Sequence, residues 1–162
     1  MHHLRLLSIS LLLITISSNL HALPGDKDKP IELAADSVDV DEAMGISTYK
    51  GDVDLRQGSM RLQASKITVK QAGKKPNQIT AFGSPVKFEQ KSEKGQIKAR
   101  AKRIEYAVNS ETLQLIGDAS LSQAGDTIKS DRITYDRVNH KMKAGAAAKG
   151  KQRVKITIQA PK

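Results

Sequence analysis

The chain has 162 residues, a length that suits one domain, and it carries 27 lysine and arginine residues against 17 aspartate and glutamate residues. The absence of cysteine excludes disulfides and attachment of a lipid through an N-terminal cysteine. The net charge of +10 favours polyanionic partners. However, the five aromatic residues form no cluster of the kind that stacks single-stranded bases, so we expect no nucleic-acid partner.

The first 22 residues have the order of a secretory signal peptide. Arg5 supplies a positive charge, an apolar run follows at 6–16, and Ala22 is the small residue that precedes a cleavage point. The run is too short for the roughly 20 residues that cross a bilayer. A retained membrane anchor is the alternative interpretation. We expect cleavage after Ala22 and one mature domain at 23–162, with 26 basic and 17 acidic residues.

A ten-residue pattern occurs four times, at 31–40, 60–69, 97–106 and 126–135. Positions one, three and five form one face of a strand, whereas positions eight and ten would lie on the opposite face of a straight strand. A short amphipathic helix fits this spacing poorly. The pattern therefore predicts strands that bend or bulge at positions six and seven. The four expected corners are Asp36-Ser37, Ser65-Lys66, Lys102-Arg103 and Asp131-Arg132.

Glycines mark the strands between these units. Gly51–Val69 and Gly117–Tyr135 match without a gap at a spacing of 66 residues. Three further strands are expected to lead into glycine turns, at Ile46–Lys50 before Gly51, Gln78–Phe82 before Gly83, and Thr112–Ile116 before Gly117. Many short strands without helical periodicity predict an all-β fold, either a sandwich or an open roll.

The last strand is expected within 149–159. Val154, Ile156 and Ile158 share one face there, and basic residues share the other. In an unclosed sheet, this strand and the one at 31–40 are edges that can pair with another chain.

Side chains suited to catalysis are few. His140 is the only histidine after residue 22, and with no cysteine present a structural zinc site is excluded. The pairs Asp39 with Asp41 and Asp52 with Asp54 offer carboxylates for hydrolysis or for calcium, but outer strand positions explain them more simply. We expect no enzyme, no cofactor and no metal. The apolar inner surface is either an ordinary core or a ligand groove, and the pattern alone leaves both open.

Several motifs together identify a family. They are Pro30-Ile31-x-Leu33-x-x-Asp36, a turn at Gly45, Tyr49-x-Gly51-x-Val53, Gln57-Gly58 and the Ala-Ser-Lys-Ile run at 64–67. In this combination the chain resembles the periplasmic lipopolysaccharide-transport proteins of the LptA/OstA type. Segments 83–91 and 117–136 resemble later parts of the same proteins, so the resemblance covers most of 30–160.

The resemblance implies an open, twisted β-jellyroll of many short antiparallel strands, whose interior holds the acyl chains of lipopolysaccharide. It implies a periplasmic protein of a Gram-negative cell that bridges the two membranes during outer-membrane assembly. The implied partners are lipopolysaccharide through its lipid A, a bitopic inner-membrane partner of the transporter, the N-terminal domain of the outer-membrane translocon, and further copies of the chain bound head to tail.

The expected lipid contacts come from two sources. The resemblance implies Ile31, Leu33, Phe88 and Tyr106, and strand alternation adds Leu62, Ile67, Val86 and Ile104. The expected assembly edges are Ile31 and Leu33 at the start and Val154, Ile156 and Ile158 at the end. The basic stretch Lys98–Arg103 is either a head-group contact or a solvated face. Two alternatives remain: a membrane-anchored inner-membrane relative, or an unrelated polyanion- or glycan-binding β-protein.

Overall fold

The computed structural model describes residues 26–145 and 153–160. They form a 3-10 helix at Asp26–Asp28 and ten strands, so the all-β prediction is confirmed. The strands are β1 (Glu32–Ala34), β2 (Ser37–Asp41), β3 (Ile46–Gln57), β4 (Met60–Ala72), β5 (Lys75–Gln90), β6 (Ile97–Ala107), β7 (Thr112–Gln123), β8 (Asp126–Asp136), β9 (Lys141–Gly145) and β10 (Lys155–Thr157). No helix in these residues is long and apolar enough to cross a membrane. The expected signal peptide, 1–22, lies outside the described residues.

All ten strands belong to one antiparallel sheet. The six long strands β3 to β8 pair in chain order, and each outer long strand carries two short ones. β1 and β2 both pair with β3, whereas β9 and β10 both pair with β8. The sheet therefore has two edges, each made of two short strands. The expected edge strands at 31–40 and within 149–159 lie at these two opposite edges.

Every long strand changes direction near its middle. The pairing register shifts between Lys50 and Val53 on β3, and the shift continues from strand to strand across the sheet. This line of corners folds the sheet into two half-sheets that face each other. The upper half-sheet holds β1, β10 and the long-strand segments at 53–57, 60–64, 86–90, 97–101, 119–123 and 126–130. The lower half-sheet holds β2, β9 and the segments at 46–50, 66–72, 75–82, 103–107, 112–116 and 132–136.

The predicted change of phase is present in burial as well as in pairing. On β4, Met60 and Leu62 are buried before the corner and Ile67 and Val69 after it, so the inward positions change from even to odd. β6 and β8 change in the same way. In the first unit the corner is a gap between β1 and β2, at Ala35 and Asp36. The bent-strand prediction is therefore confirmed.

The 66-residue match is a repeated corner, and the turns expected at Gly51, Gly83 and Gly117 are wrong. These glycines lie inside strands, β3, β5 and β7, where the register shifts. Gly51 and Asp52 have φ values of 80° and 36°, and Gly117 and Asp118 have 79° and 48°. Two consecutive residues with positive φ bend a strand without ending it. A glycine-aspartate pair is therefore a signal for this bend.

Replacing Gly51 with alanine tests how tightly the corner is packed. A Cβ at this position would collide with the side chain of Asp36, whereas Gly73, with φ +65°, has open space around it. Alanine in the left-handed region alone costs about 1–2 kcal/mol. We expect Gly51→Ala to lower the free energy of unfolding by about 2–3 kcal/mol and Gly73→Ala by about 1 kcal/mol, both measured by urea denaturation. Equal losses in the free energy of unfolding would show that the Asp36 side chain moves away from the new Cβ at no cost in stability.

Candidate functional site

One row of apolar side chains crosses the inner surface of the upper half-sheet without interruption. The register places one residue from each of eight strands side by side, and the row runs from one edge of the sheet to the other. Its members are Leu33, Leu55, Leu62, Phe88, Ala99, Leu121, Ile128 and Ile156.

The lower half-sheet presents two further rows to the same interior, which are apolar except for Ser47. The first consists of Val38, Tyr49, Ile67, Ala81, Ile104, Leu115, Ile133 and Ala144. The second consists of Val40, Ser47, Val69, Ile79, Tyr106, Leu113, Tyr135 and Met142. The three rows together form an apolar interior whose long axis crosses the strands and ends at the two sheet edges.

The predicted lipid contacts all lie on this inner surface. Leu62 and Phe88 are in the upper row, Ile67 and Ile104 in the first lower row, and Tyr106 in the second. Together with Val86, which adjoins the corner of β5, they are essentially inaccessible to solvent. Ile31 and Leu33 are half-buried and pack against the same cluster. Strand alternation therefore identified inward positions correctly, and their contact with lipid stays a prediction.

The apolar interior becomes exposed at both edges of the sheet. At the first edge, Val38 and Val40 are 52% and 62% exposed although they continue the inner rows. At the other edge, Ile156 and Ile158 are 60% and 75% exposed, and Met142 and Val154 are also exposed. Within the described residues, the short edge strands pair on one side only. Each edge thus combines an unpaired strand with exposed apolar side chains, which is a surface for adding another strand.

The sequence did not reveal every element of these edges. β9 (Lys141–Gly145) was not predicted. The alternation of Met142 and Ala144 with Lys141 and Lys143 was the available signal. Val38 and Val40 belong to the stretch 31–40, which the sequence predicts as an edge strand, and the structure places both valines at that edge.

A polar cluster joins the two half-sheets on the side opposite the corners, which we call the mouth. Arg137 follows β8 in the lower half-sheet, and its side chain is only 2% exposed. Its Nε donates to Gln90 Oε1 (3.0 Å) at the end of β5 in the upper half-sheet, and its Nη1 donates to Tyr106 Oη (2.7 Å). Its guanidinium also pairs with Asp26 (3.3 Å) and Glu111 (3.7 Å). With Ser59, which binds Asp26, these residues form the mouth cluster.

Asp26 brings the N-terminal segment into the mouth cluster. Ser59 donates to it twice, from the backbone N–H to Oδ1 (2.7 Å) and from Oγ to Oδ2 (2.8 Å). Gln90 Nε2 donates to Oδ2 (3.0 Å), as does Arg137 Nη2 (3.3 Å). One carboxylate therefore receives four hydrogen bonds, from the β3–β4 turn, from β5 and from the residue after β8.

Burial at the mouth raises the pKa of two tyrosines. Desolvation raises the pKa of Tyr106 and of Tyr135, and the charge of Arg137 opposes the shift in both. Both hydroxyls are therefore neutral at physiological pH. These tyrosines occupy position ten of the third and fourth sequence units. A buried tyrosine hydroxyl needs a polar partner. Tyrosine at an inward position of these units was therefore an unused sequence signal for a buried polar cluster.

Three of the four carboxylates considered for catalysis are bound to neighbouring residues. Asp39 pairs with Lys50 at 3.0 Å on exposed strands, and Asp41 accepts the Met44 N–H at 2.9 Å in a turn. Asp54 accepts two hydrogen bonds from Arg61, which lower its pKa. Asp52 lies exposed at the β3 corner.

His140 is exposed in the β8–β9 turn, with its Nδ1 3.5 Å from the Tyr135 hydroxyl. No group of three metal-ligating side chains occurs in the part of the chain that the structure describes.

The basic stretch Lys98–Arg103 lies on β6 and points its charges away from the interior. Lys98 and Arg100 are exposed on the outer face of the upper half-sheet, beside a hollow of about 240 Å³. Lys102 pairs with Asp118 (2.7 Å) and Arg103 with Glu105 (3.2 Å). Basic residues on neighbouring strands lie beside this stretch in the pairing register. The row they form is Lys87, Arg100, the uncharged Ser120, Lys129 and Lys155. The stretch is therefore part of a solvated basic face.

Comparison with known proteins gives consistent matches. The family described as LptA/(LptD N-terminal domain) LPS transport protein matches residues 32–141. The lipopolysaccharide export system protein LptH of Pseudomonas aeruginosa is 36% identical over 134 residues, covering 81% of this chain and 77% of LptH. The lipopolysaccharide export system protein LptA of Escherichia coli K12 is 30% identical over 149 residues, covering 90% of this chain and 80% of LptA.

A solved structure matches the fold as well. The crystal structure of LptH from Pseudomonas aeruginosa, described as the LptA-homologous periplasmic component of the conserved lipopolysaccharide transport device, superimposes with a TM-score of 0.79. The two sequences are 33% identical in this alignment, which covers 85% of this chain and all of that one. The predicted fold class and the resemblance drawn from the sequence are both confirmed.

Proposed function

This chain belongs to the LptA/LptD N-terminal domain family of lipopolysaccharide-transport proteins, and we propose on that basis that it carries lipopolysaccharide across the periplasm. The acyl chains lie between the two half-sheets, and the protein forms part of a bridge to the outer membrane. The observation that carries this proposal is the set of three apolar rows that reach both edges of the sheet. An interior that ends exposed at both edges suits a continuous path through several units.

Removal of water from the acyl chains drives binding. Each buried methylene contributes about 0.8 kcal/mol, so a chain of ten methylenes gains on the order of 8 kcal/mol. The interior side chains bury one another, so lipid enters when the half-sheets part. The corner side is held by six continuous strands, whereas the mouth is held by side-chain contacts. We infer that opening takes place at the mouth.

The lipid contacts of this proposal are the residues identified by sequence. They are Ile31, Leu33, Leu62, Ile67, Val86, Phe88, Ile104 and Tyr106. Photo-crosslinking amino acids at Phe88 and Tyr106 should capture lipopolysaccharide in cells, because both side chains face the interior. The capture is read as a lipopolysaccharide-reactive adduct on a gel.

Neighbouring residues provide matched controls for the crosslinking. Lys87 and Ala107 adjoin the two test positions in sequence but are exposed on the outer faces of the same strands. Probes there should give at most a small fraction of the adduct. Equal capture at Lys87 and Phe88 would refute the interior as the lipid site.

The remaining parts of the proposal concern export and assembly. Residues 1–22 act as a cleaved signal peptide, and 23–162 form one domain without catalytic activity. Copies join head to tail through the β1–β2 edge and the β9–β10 edge, which carry the exposed apolar residues. The same edges bind related folds in the partners, namely the bitopic inner-membrane component and the N-terminal domain of the outer-membrane translocon.

A further inference from the structure

The four hydrogen bonds to the Asp26 carboxylate define a site for an anion at the mouth of the interior. We propose that the donors around Asp26 bind a phosphate group on the sugar head of lipopolysaccharide, and that the phosphate displaces the Asp26 carboxylate from them. This inference rests on the proposed function, since it assigns the head-group contact for a lipid whose acyl chains lie between the half-sheets.

The donors are held in place before any ligand arrives. Nε of Arg137 donates to Gln90 and its Nη1 donates to Tyr106, which fixes the guanidinium plane and leaves Nη2 for the anion. The planar guanidinium presents donors in a geometry that matches phosphate oxygens. Because the Arg137 side chain is 2% exposed, its attraction for an anion is only weakly screened by salt.

The β3–β4 turn completes the site from the upper half-sheet. Ser59 contributes a backbone N–H and a hydroxyl, and the preceding residue, Gly58, has φ +59°. A Cβ on Gly58 would collide with the Asp26 carboxylate. The glycine therefore leaves the space that the anion fills, and successive backbone groups in such a turn are known to form anion sites.

The position of the site fits the head group of a lipid held inside. Tyr106, which receives the Arg137 hydrogen bond, belongs to the second lower row of the interior. An acyl chain lying along that row brings its head group to the mouth. Burial of the acyl chain and binding of the phosphate then both stabilise the same bound lipopolysaccharide molecule.

Asp26 can be exchanged for a ligand at small structural cost. It lies in a three-residue 3-10 helix, and the first strand begins only at Glu32. Between them, the segment is held by the Lys29 N–H to the Asp26 carbonyl (3.0 Å) and by Gln57 Nε2 to the Lys29 carbonyl (3.1 Å). Displacing the carboxylate leaves every strand pair of the sheet intact.

The test measures binding of two lipids to the mature protein and two variants. The probes are lipid A with its phosphates and dephosphorylated lipid A with the same acyl chains. Asp26→Asn removes the competing charge, so it should bind the phosphorylated lipid about tenfold more tightly, the effect of one charge-assisted hydrogen bond. Adding Ser59→Ala to this variant removes a donor and should cancel the gain. Loosening the mouth changes acyl-chain binding equally for both lipids, so the tenfold gain and its cancellation are expected in the ratio of the affinity for phosphorylated lipid to the affinity for dephosphorylated lipid.

The outcomes separate this inference from the proposed function. If Asp26→Asn and the double variant change the affinity for both lipids by the same factor, Asp26 only fastens the N-terminal segment and the phosphate site is refuted. If inorganic phosphate alone stabilises Asp26→Asn against heat as strongly as phosphorylated lipid does, the site takes free phosphate and the head-group assignment is overturned. If the unaltered protein binds neither lipid, the proposed function fails.

Discussion

Replacing Arg137 with methionine should lower the free energy of unfolding by about 3–5 kcal/mol, because the change leaves two carboxylates without their cation. Asp26 and Glu111 are only 14% and 15% exposed and both pair with the Arg137 guanidinium. The Tyr106 hydroxyl and the Gln90 amide also lose a donor. Urea denaturation followed by circular dichroism measures the loss, with the dependence on urea unchanged if the fold is preserved.

Arg132→Met is the matched control for this prediction. Arg132 lies on β8, five residues before Arg137, but its side chain is exposed on the outer face. An exposed substitution of this kind changes stability by about 0.5 kcal/mol or less. A loss at Arg137 no greater than that at Arg132 would mean that the mouth is held by apolar packing and that its polar contacts contribute little.

The stability effect bears on how the protein opens. The corners are built into continuous strands, so breaking them would break backbone pairing on six strands. The mouth is closed by one arginine, two carboxylates, an amide and a hydroxyl. A ligand that replaces Asp26 on Arg137 therefore acts on the closure itself. Binding of the head group and opening for the acyl chains become linked events.

The sheet was predictable from sequence because its pattern is local. The inward positions of β4 are even up to Leu62 and odd from Ile67 onward, and that change could only be satisfied by a bent strand. The glycine-aspartate pairs were also recognisable in the sequence, but their backbone conformation could not be predicted from it. A glycine inside a strand and a glycine between strands look alike in sequence, and the distinction depends on which residue the neighbouring strand pairs with.

The mouth cluster was not predictable because it depends on distant residues. Asp26 and Arg137 are separated by 111 positions and meet only after the whole sheet has folded. Arg137 follows a strand directly and reads as part of a charged turn, while its burial arises from residues on β5, β6 and the N-terminal segment. Spacing along the chain carries no information about such a contact.

Aspartate at both Ile156 and Ile158 should abolish the proposed head-to-tail self-association while leaving the fold intact. Both side chains are largely exposed in the single chain, so little buried area is lost from the monomer. In a head-to-tail assembly they would continue the apolar interior into the next copy, where burial of each isoleucine contributes about 1.5–3 kcal/mol. We expect the dissociation constant to rise about a hundredfold or more, since 1.4 kcal/mol corresponds to a factor of ten. Analytical ultracentrifugation over a concentration series measures it.

Thr157→Asp separates the loss of apolar contact from the added charge. Thr157 is the last residue of β10 and lies between the two isoleucines in sequence, and because strand neighbours alternate, it presents its side chain to the face opposite that of Ile156. It is exposed in the single chain, so aspartate there adds one negative charge, against two in the isoleucine pair, to the same edge without removing an inner-face contact. Its effect on the dissociation constant should be under tenfold. If Thr157→Asp dissociates the assembly as fully as the isoleucine pair, electrostatic repulsion along the strand explains the result, and the interior does not continue from one copy to the next.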